Sequence, residues 1–176
     1  LLQALDSVGL TEKDIKPVLL QHPDGYRALV SGQVDAWAGL DPHMAKGELE
    51  TQTPLFYRNA DLNTYGILNV REEFSTKYPL LVKKVLKIYE ENRLHAIKNP
   101  NELKQSLIKA VKLSGAVAQK QLNERTDITN PNIGPKQINT FLTAGNILQK
   151  IGIIKASVSI KDVINELVDT SFLSKN

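Results

Sequence analysis

The segment Gly32–Ala45 reads G-Q-V-D-A-W-A-G-L-D-P-H-M-A and gives the clearest indication of the architecture. Its apolar run Val34–Leu40 is typical of a short strand. Asp41-Pro42 follows at once and is typical of a helix start, because Asp caps a first turn and Pro suits the first helical position. The segment therefore predicts a strand that runs directly into a helix. In open α/β sheets such a corner lies at the carboxyl end of the strand, where ligands bind.

Three residues of this corner are candidates for ligand contact or for a purely structural role. Gly39 lets a ligand approach the backbone closely, and exposed amides at the corner favour anions. Trp37 could stack on the organic part of a ligand, or it could simply pack in the core. Asp41 is expected to cap the helix. A ligand contact there would imply a cationic or amine-bearing ligand, because a carboxylate repels an anion.

Short helical and extended patterns alternate through the first 70 residues. The helices predicted there are Leu1–Val8, Tyr26–Ser31 and Pro42–Leu49. The strands predicted there are Lys16–Gln21, Val34–Leu40, Leu55–Tyr57 and Thr64–Val70. Thr11 and Asp14 have the spacing of a capping box, and His22–Gly25 is predicted to be a turn. The alternation indicates the α/β class, with a small parallel sheet built from βαβ units.

From Arg71 onward the periodicity is helical. Val82, Val85, Leu86 and Tyr89 recur at the spacing of one helix face. Further helices are predicted at Gly115–Arg125, Pro135–Ile151 and Ser159–Phe172. The chain is thus predicted to end in a helix-rich carboxyl-terminal region.

Composition excludes several kinds of site. The 176 residues include no cysteine, so disulfides and thiolate metal sites are excluded. The three histidines lie far apart without metal-ligand spacing, and no nucleophile elbow, Walker loop or dinucleotide fingerprint is present. No catalytic residue, metal site or cofactor is therefore predicted.

The net charge of +3 hides an asymmetry along the chain. Residues 1–62 hold five basic and nine acidic side chains, whereas residues 63–176 hold 17 and 10. The lysines of the second part alternate with acids along predicted helices and lack the arginine and aromatic interleaving of a nucleic-acid interface. We therefore predict solvated helix surfaces and no nucleic-acid partner.

The motif G-x-V-D-A-x-x-x-x-D-P at residues 32–42 resembles the substrate-binding proteins of ATP-binding-cassette importers, of the aliphatic sulfonate, taurine and nitrate type. Thr64–Val70 with Arg71–Pro79 is similar to the return strand of that family and its F-x-x-x-x-P helix. Asn132–Gly152 and Val158–Leu167 are similar to its late helices.

The resemblance implies part of a two-lobed, type 2 periplasmic-binding-protein fold. The chain would be the carboxyl-terminal portion of a longer protein. Residues 1–62 would belong to the second lobe, and residues 63–176 would supply the return strand and helices of the first. The hinge between the lobes is expected at Asp61–Tyr65.

The resemblance also implies the function. The protein would hold a small oxyanion, with an aliphatic sulfonate favoured, between its lobes and deliver it to a membrane permease of the importer. It would be extracytoplasmic, either periplasmic or a cell-surface lipoprotein, and would not be an enzyme. The expected ligand-binding residues are Trp37, Asp41, Asn63, Thr64 and Tyr65.

Two alternatives use the same scaffold. One is an enzyme of the thiamine-precursor type, which is disfavoured because those proteins need a cysteine-rich segment and this chain has no cysteine. The other is the ligand-sensing domain of a regulator.

Overall fold

The computed structural model describes residues 1–62 and 65–173. Nine α-helices lie within these residues. They are α1 (Leu2–Asp6), α2 (His22–Val30), α3 (His43–Glu50), α4 (Glu72–Lys77), α5 (Pro79–Lys98), α6 (Pro100–Val111), α7 (Gly115–Arg125), α8 (Pro135–Lys150) and α9 (Ile160–Leu167). Two short 3-10 turns lie at Glu12–Asp14 and Ala60–Leu62. No helix within the described residues has the length and apolar character needed to cross a membrane.

The start of α2 corrects the prediction for residues 22–25. His22–Gly25 is the first turn of the helix rather than a separate turn. Pro23 lies in that first turn, where its missing N–H leaves no intrahelical hydrogen bond unmade, and Asp24 is favourable there because the helix N-terminus is positive. The predicted end is confirmed, since α2 stops at Val30 and Gly32 adopts φ +71°.

The predicted capping box at Thr11 and Asp14 is confirmed. The Thr11 hydroxyl accepts from the Lys13 amide at 3.3 Å, and the Asp14 carboxylate accepts from the Thr11 amide at 2.8 Å. Hydrogen bonds from the Thr11 amide and from the Thr11 hydroxyl lower the pKa of Asp14 below its ordinary value, because they stabilise the ionised carboxylate.

The predicted strands are not paired into a sheet within the described residues. Residues 16–20, 34–40 and 54–58 run without helix and without any ladder to a neighbouring segment. An extended segment becomes a β-strand only when it hydrogen-bonds to a neighbouring segment. An apolar run alone therefore indicates no more than a preference for extended backbone. Leu19 and Phe56 in these segments are 94% and 81% exposed. The small parallel sheet, and with it the α/β class, stays a prediction.

The chain divides into two compact units, each made of two separate stretches. Unit 1 comprises Leu1–Arg58 and Lys98–Ile128, and unit 2 comprises Asn59–Ile97 and Thr129–Asn176. The first change of unit, after Arg58, lies close to the predicted hinge. Residues 98–128 belong to unit 1, whereas the predicted division placed everything after residue 62 in the other part. The assignment of either part to a lobe of a longer protein stays a prediction.

Unit 1 contains α1, α2, α3, α6 and α7, and α3 packs against both α2 and α7. Its buried apolar side chains are small, namely Ala28, Ala45, Val117 and Ala118. Small side chains let these short helices approach one another closely.

Unit 2 contains α4, most of α5, α8 and α9. Helices α8 and α9 pack together, and the buried apolar side chains among the described residues of the unit are Val82, Ile160 and Ile164. Gly145 of α8 makes this packing possible, because a Cβ there would lie 2.5 Å from Cγ2 of Ile160.

Candidate functional site

Four rings gather beside the Gly32–Ala45 corner in unit 1. The Trp37 ring lies 6.1 Å from the Tyr26 ring and meets the His22 imidazole edge-on at 6.4 Å. Tyr26 in turn stacks on His43 at 6.0 Å with an interplanar angle of 28°. We call His22, Tyr26, Trp37 and His43 the aromatic cluster. Tyr26, Trp37 and His43 are half-buried, so the cluster is partly open to solvent.

Two glycines fix where the indole of Trp37 lies. A Cβ on Gly25 of α2 would overlap the Nε1 and Cδ1 edge of the indole. A Cβ on Gly39 would lie 2.6 Å from Cζ3 of Trp37 and 2.7 Å from Cγ of Met44. The indole is therefore held between two backbone surfaces that only glycine leaves free.

Basic side chains lie near the aromatic cluster, and two of them are paired with acids. The Lys46 ammonium lies 5.8 Å from the centre of the Tyr26 ring, a cation–π distance. Burial lowers the pKa of His43 below its ordinary value, and the charges of Lys46, His22 and Arg27 lower it further. Arg27 pairs with Asp24 at 3.1 Å, and Lys46 pairs with Glu50 at 3.7 Å. Both pairs are exposed.

Asp41 acts as a helix cap, which confirms the prediction, although it lies one residue outside the predicted N-cap position. Helix α3 begins at His43, and the residue at its N-cap is Pro42. The Asp41 carboxylate reaches past Pro42 and accepts from the Ala45 amide at 3.0 Å. It thereby satisfies a first-turn donor that has no partner within the helix.

Asp41 also belongs to a network of charges that the sequence did not reveal. Arg125, the last residue of α7, donates from Nη1 to the Asp41 carboxylate at 2.9 Å and from Nη2 to Glu48 of α3. The Arg125 side chain is only 3% exposed. Lys120 of α7 lies 3.9 Å from the other Glu48 oxygen. We call Asp41, Glu48, Lys120 and Arg125 the charge network.

The arrangement has the chemistry of a binding site. A half-buried aromatic surface bordered by cations suits a small organic anion, since rings contact the apolar part and cations favour the charge. The charge network pairs the acidic groups of the corner with internal cations. Within residues 1–62 and 65–173, no three His, Asp or Glu side chains are grouped so as to hold a metal ion.

The structure places the five predicted site residues differently. Trp37 and Asp41 lie in unit 1, at the same corner. Tyr65 lies in unit 2, where its ring meets that of Phe141 edge-on at 6.5 Å. Asn63 and Thr64 lie outside the described residues. Their predicted roles, like that of Tyr65, stay predictions.

Most contacts of the corner involve residues that no sequence motif pointed to. Gly25 gave no signal, because the sequence predicted a turn at His22–Gly25, where glycine is ordinary; only its place in α2 reveals the close approach to Trp37. No local signal pointed to Arg125, which lies 84 residues from Asp41 along the chain. Its role depends on where α7 packs.

Comparison with known proteins supports a binding role. Over 66 residues the chain is 38% identical to an Escherichia coli (strain K12) protein named "Putative aliphatic sulfonates-binding protein". The matched segment covers 38% of this chain and 21% of that relative. No family model matches the chain, and no solved structure does. That relative is named as a binding protein, in agreement with the prediction of a binding protein rather than an enzyme.

Proposed function

We propose that this chain is part of an extracytoplasmic solute-binding protein that delivers an aliphatic sulfonate to an ATP-binding-cassette importer. The observation that carries the proposal is the 66-residue similarity to a protein named for binding aliphatic sulfonates. The aromatic cluster supports it independently, because rings and cations together suit an anion with an apolar tail.

In this proposal the corner of unit 1 supplies one wall of the ligand site. The alkyl chain of the ligand contacts the indole of Trp37 and the ring of Tyr26, which lie 6.1 Å apart. The sulfonate lies towards the positive groups around the cluster, Lys46 foremost. Its charge is permanent at neutral pH, so it needs no proton transfer to bind.

The remaining contacts come from the first lobe, and the two lobes close about the expected hinge at residues 61–65. Ligand shifts the protein towards the closed state only by its higher affinity for that state. The permease then recognises the closed form. The α/β fold with two lobes, expected from the sequence resemblance, is part of the same proposal.

Calorimetric titration of the intact natural polypeptide tests the proposal. The panel contains 1-propanesulfonate, taurine, nitrate, bicarbonate and a thiamine pyrimidine precursor. We expect micromolar binding of at least one sulfonate and weaker binding of the inorganic anions, which have no apolar part. Binding of the pyrimidine alone would overturn the proposal in favour of the thiamine-related alternative. Turnover of any compound would also overturn it.

A matched pair of variants places the ligand. Trp37→Leu removes the ring from the aromatic cluster, whereas Tyr78→Leu removes a ring from the Phe74–Tyr78 pair of unit 2, whose centres are 5.2 Å apart. We expect the first to weaken sulfonate binding about tenfold, the scale of one lost aromatic contact, and the second to leave it unchanged. Equal effects of both variants would contradict the assignment of the aromatic cluster.

A further inference from the structure

Arg125 occupies an unusual position for a side chain that carries a permanent charge. It ends α7, yet its side chain is only 3% exposed, because the guanidinium lies between Asp41 and Glu48. One nitrogen donates to each carboxylate. The guanidinium is thus held from two sides and connects α7 to both ends of the α3 segment.

One oxygen of the Asp41 carboxylate carries both contacts that hold this side chain. The same oxygen, Oδ1, accepts from the Ala45 amide at 3.0 Å and from Arg125 at 2.9 Å. The Asp41 side chain remains 18% exposed, so its charge would act on anything bound at the corner. Without Arg125, this negative charge would repel an anion and attract an amine.

Arg125 is the main positive group that balances the negative charge of Asp41. Glu48 adds a second carboxylate on the same guanidinium, and Lys120 balances Glu48 from 3.9 Å. Lys120 is itself shared with Glu124, at 2.9 Å. Replacing Arg125 by a neutral residue would therefore expose two acidic groups at one corner.

From this geometry we infer that Arg125 is a positioning residue that sets the charge selectivity of the ligand site. By holding and neutralising Asp41, it makes the corner accept a fully anionic sulfonate in preference to one that carries an ammonium group. Arg125 does not contact the ligand. The inference rests on the proposed function, since it concerns the site for the sulfonate.

Two ligands of nearly the same shape test the inference. Taurine and 1-propanesulfonate differ at one end, where an ammonium replaces a methyl group. Their affinities for the intact protein are measured by calorimetry, and the ratio of the two dissociation constants reports charge selectivity. A loss of structure alone would weaken both ligands and leave this ratio unchanged.

Opposite changes are expected in two variants. Arg125→Gln leaves the Asp41 charge uncompensated, so selectivity should shift towards taurine by about fivefold, the effect of one charge across roughly 8 Å in a partly aqueous site. Asp41→Asn leaves Arg125 paired with Glu48 alone, so selectivity should shift towards 1-propanesulfonate by a similar factor. The double variant should return close to the natural ratio. Arg93→Gln, which removes an arginine paired with Glu90 at 2.7 Å in unit 2, is the control.

Each outcome decides the inference. If Arg125→Gln does not fold, as judged by circular dichroism, the shift in Asp41→Asn decides alone. An unchanged ratio in a folded variant, while the natural protein binds both ligands, would overturn the inference and leave the proposed function standing. Failure of the natural protein to bind either sulfonate would overturn the proposed function and this inference together.

Discussion

The corner of unit 1 and the α8–α9 pair of unit 2 are both short helical arrangements, but they are stabilised in different ways. At the corner, Asp41 holds the start of α3 through one hydrogen bond and one ion pair. In unit 2, Ile160 and Ile164 of α9 are buried at 8% and 5% exposure, and Gly145 lets Ile160 approach α8. The polar contact there is local, since Gln149 donates to the Val158 and Lys155 carbonyls at 2.8 and 3.0 Å.

This difference separates a surface suited to binding from a surface suited to packing. Apolar packing such as that between α8 and α9 is non-directional, and the helix face that it buries is no longer accessible to a ligand. At the corner, by contrast, the ring surface is only half-buried, and the charged side chains fix the orientation of α3 relative to α7. Directional contacts around a partly open surface are what a ligand site requires.

The largest effect is expected from removing the buried cation. Arg125→Met leaves the Asp41 and Glu48 carboxylates without their partner, which should lower the free energy of unfolding by about 3 kcal/mol. Arg93→Met in unit 2 removes a guanidinium that pairs with the exposed Glu90 carboxylate, so a clearly smaller loss is expected. Urea unfolding of both variants measures the difference. Equal losses would mean that the charge network is no more important than a surface pair.

The next largest effect compares two close approaches. Gly39→Ala would push the Trp37 indole and Met44, and Gly145→Ala would push Ile160. Each should cost about 1–3 kcal/mol, because overpacking forces neighbours off their preferred positions.

Gly115→Ala is the control for these variants, since a Cβ at Gly115 meets nothing within 4 Å. It should be neutral or slightly stabilising, because alanine favours a helix. Thermal unfolding separates the three variants. A neutral Gly39→Ala would show that the indole can move aside.

A smaller effect tests the predicted role of Tyr65. Tyr65→Phe keeps the ring that meets Phe141 edge-on and removes only the hydroxyl. If that hydroxyl donates to the ligand, binding of the sulfonate should weaken by about 0.5–1.5 kcal/mol with little change in unfolding. Calorimetry on the intact protein measures this, and an unchanged dissociation constant would remove Tyr65 from the site.

The smallest effect expected is a pH dependence at the aromatic cluster. Burial first, and then Lys46, His22 and Arg27, lower the pKa of folded His43 below the ordinary 6.5. The unfolded chain therefore takes up the proton more readily. The contribution of His43 to stability is complete above pH 6.5 and falls as the pH drops from there towards the lowered value.

The His43→Gln variant isolates this contribution. The difference in Tm between the natural protein and the variant should shrink between pH 7.5 and pH 5.5, while other titrations cancel in the difference. A difference that grows on acidification would mean that the folded protein favours protonated His43, contrary to the direction given by its surroundings.

Local sequence rules identified the parts of this chain that depend on neighbours within a few residues. The Thr11–Asp14 capping box, the end of α2 before Gly32 and the Asp41 cap of α3 were all predicted. The start of α2 was missed because His22–Gly25 combines residues that serve equally in a turn and in a first helical turn. Local sequence could not decide whether a sheet forms, because a β-ladder needs hydrogen bonds to a second segment that lies elsewhere in the chain.

The amino-acid sequence thus determined the Thr11–Asp14 capping box, the end of α2, the absence of cysteine chemistry and the position of Trp37 close to a helix N-terminus. Only the tertiary structure decided that Arg125 pairs with Asp41 and Glu48. It also decided that the Trp37 indole packs against Gly25 and Gly39. The reason is physical. Caps and helix ends depend on hydrogen bonds across three or four residues, whereas a buried ion pair across 84 residues exists only once two helices have packed.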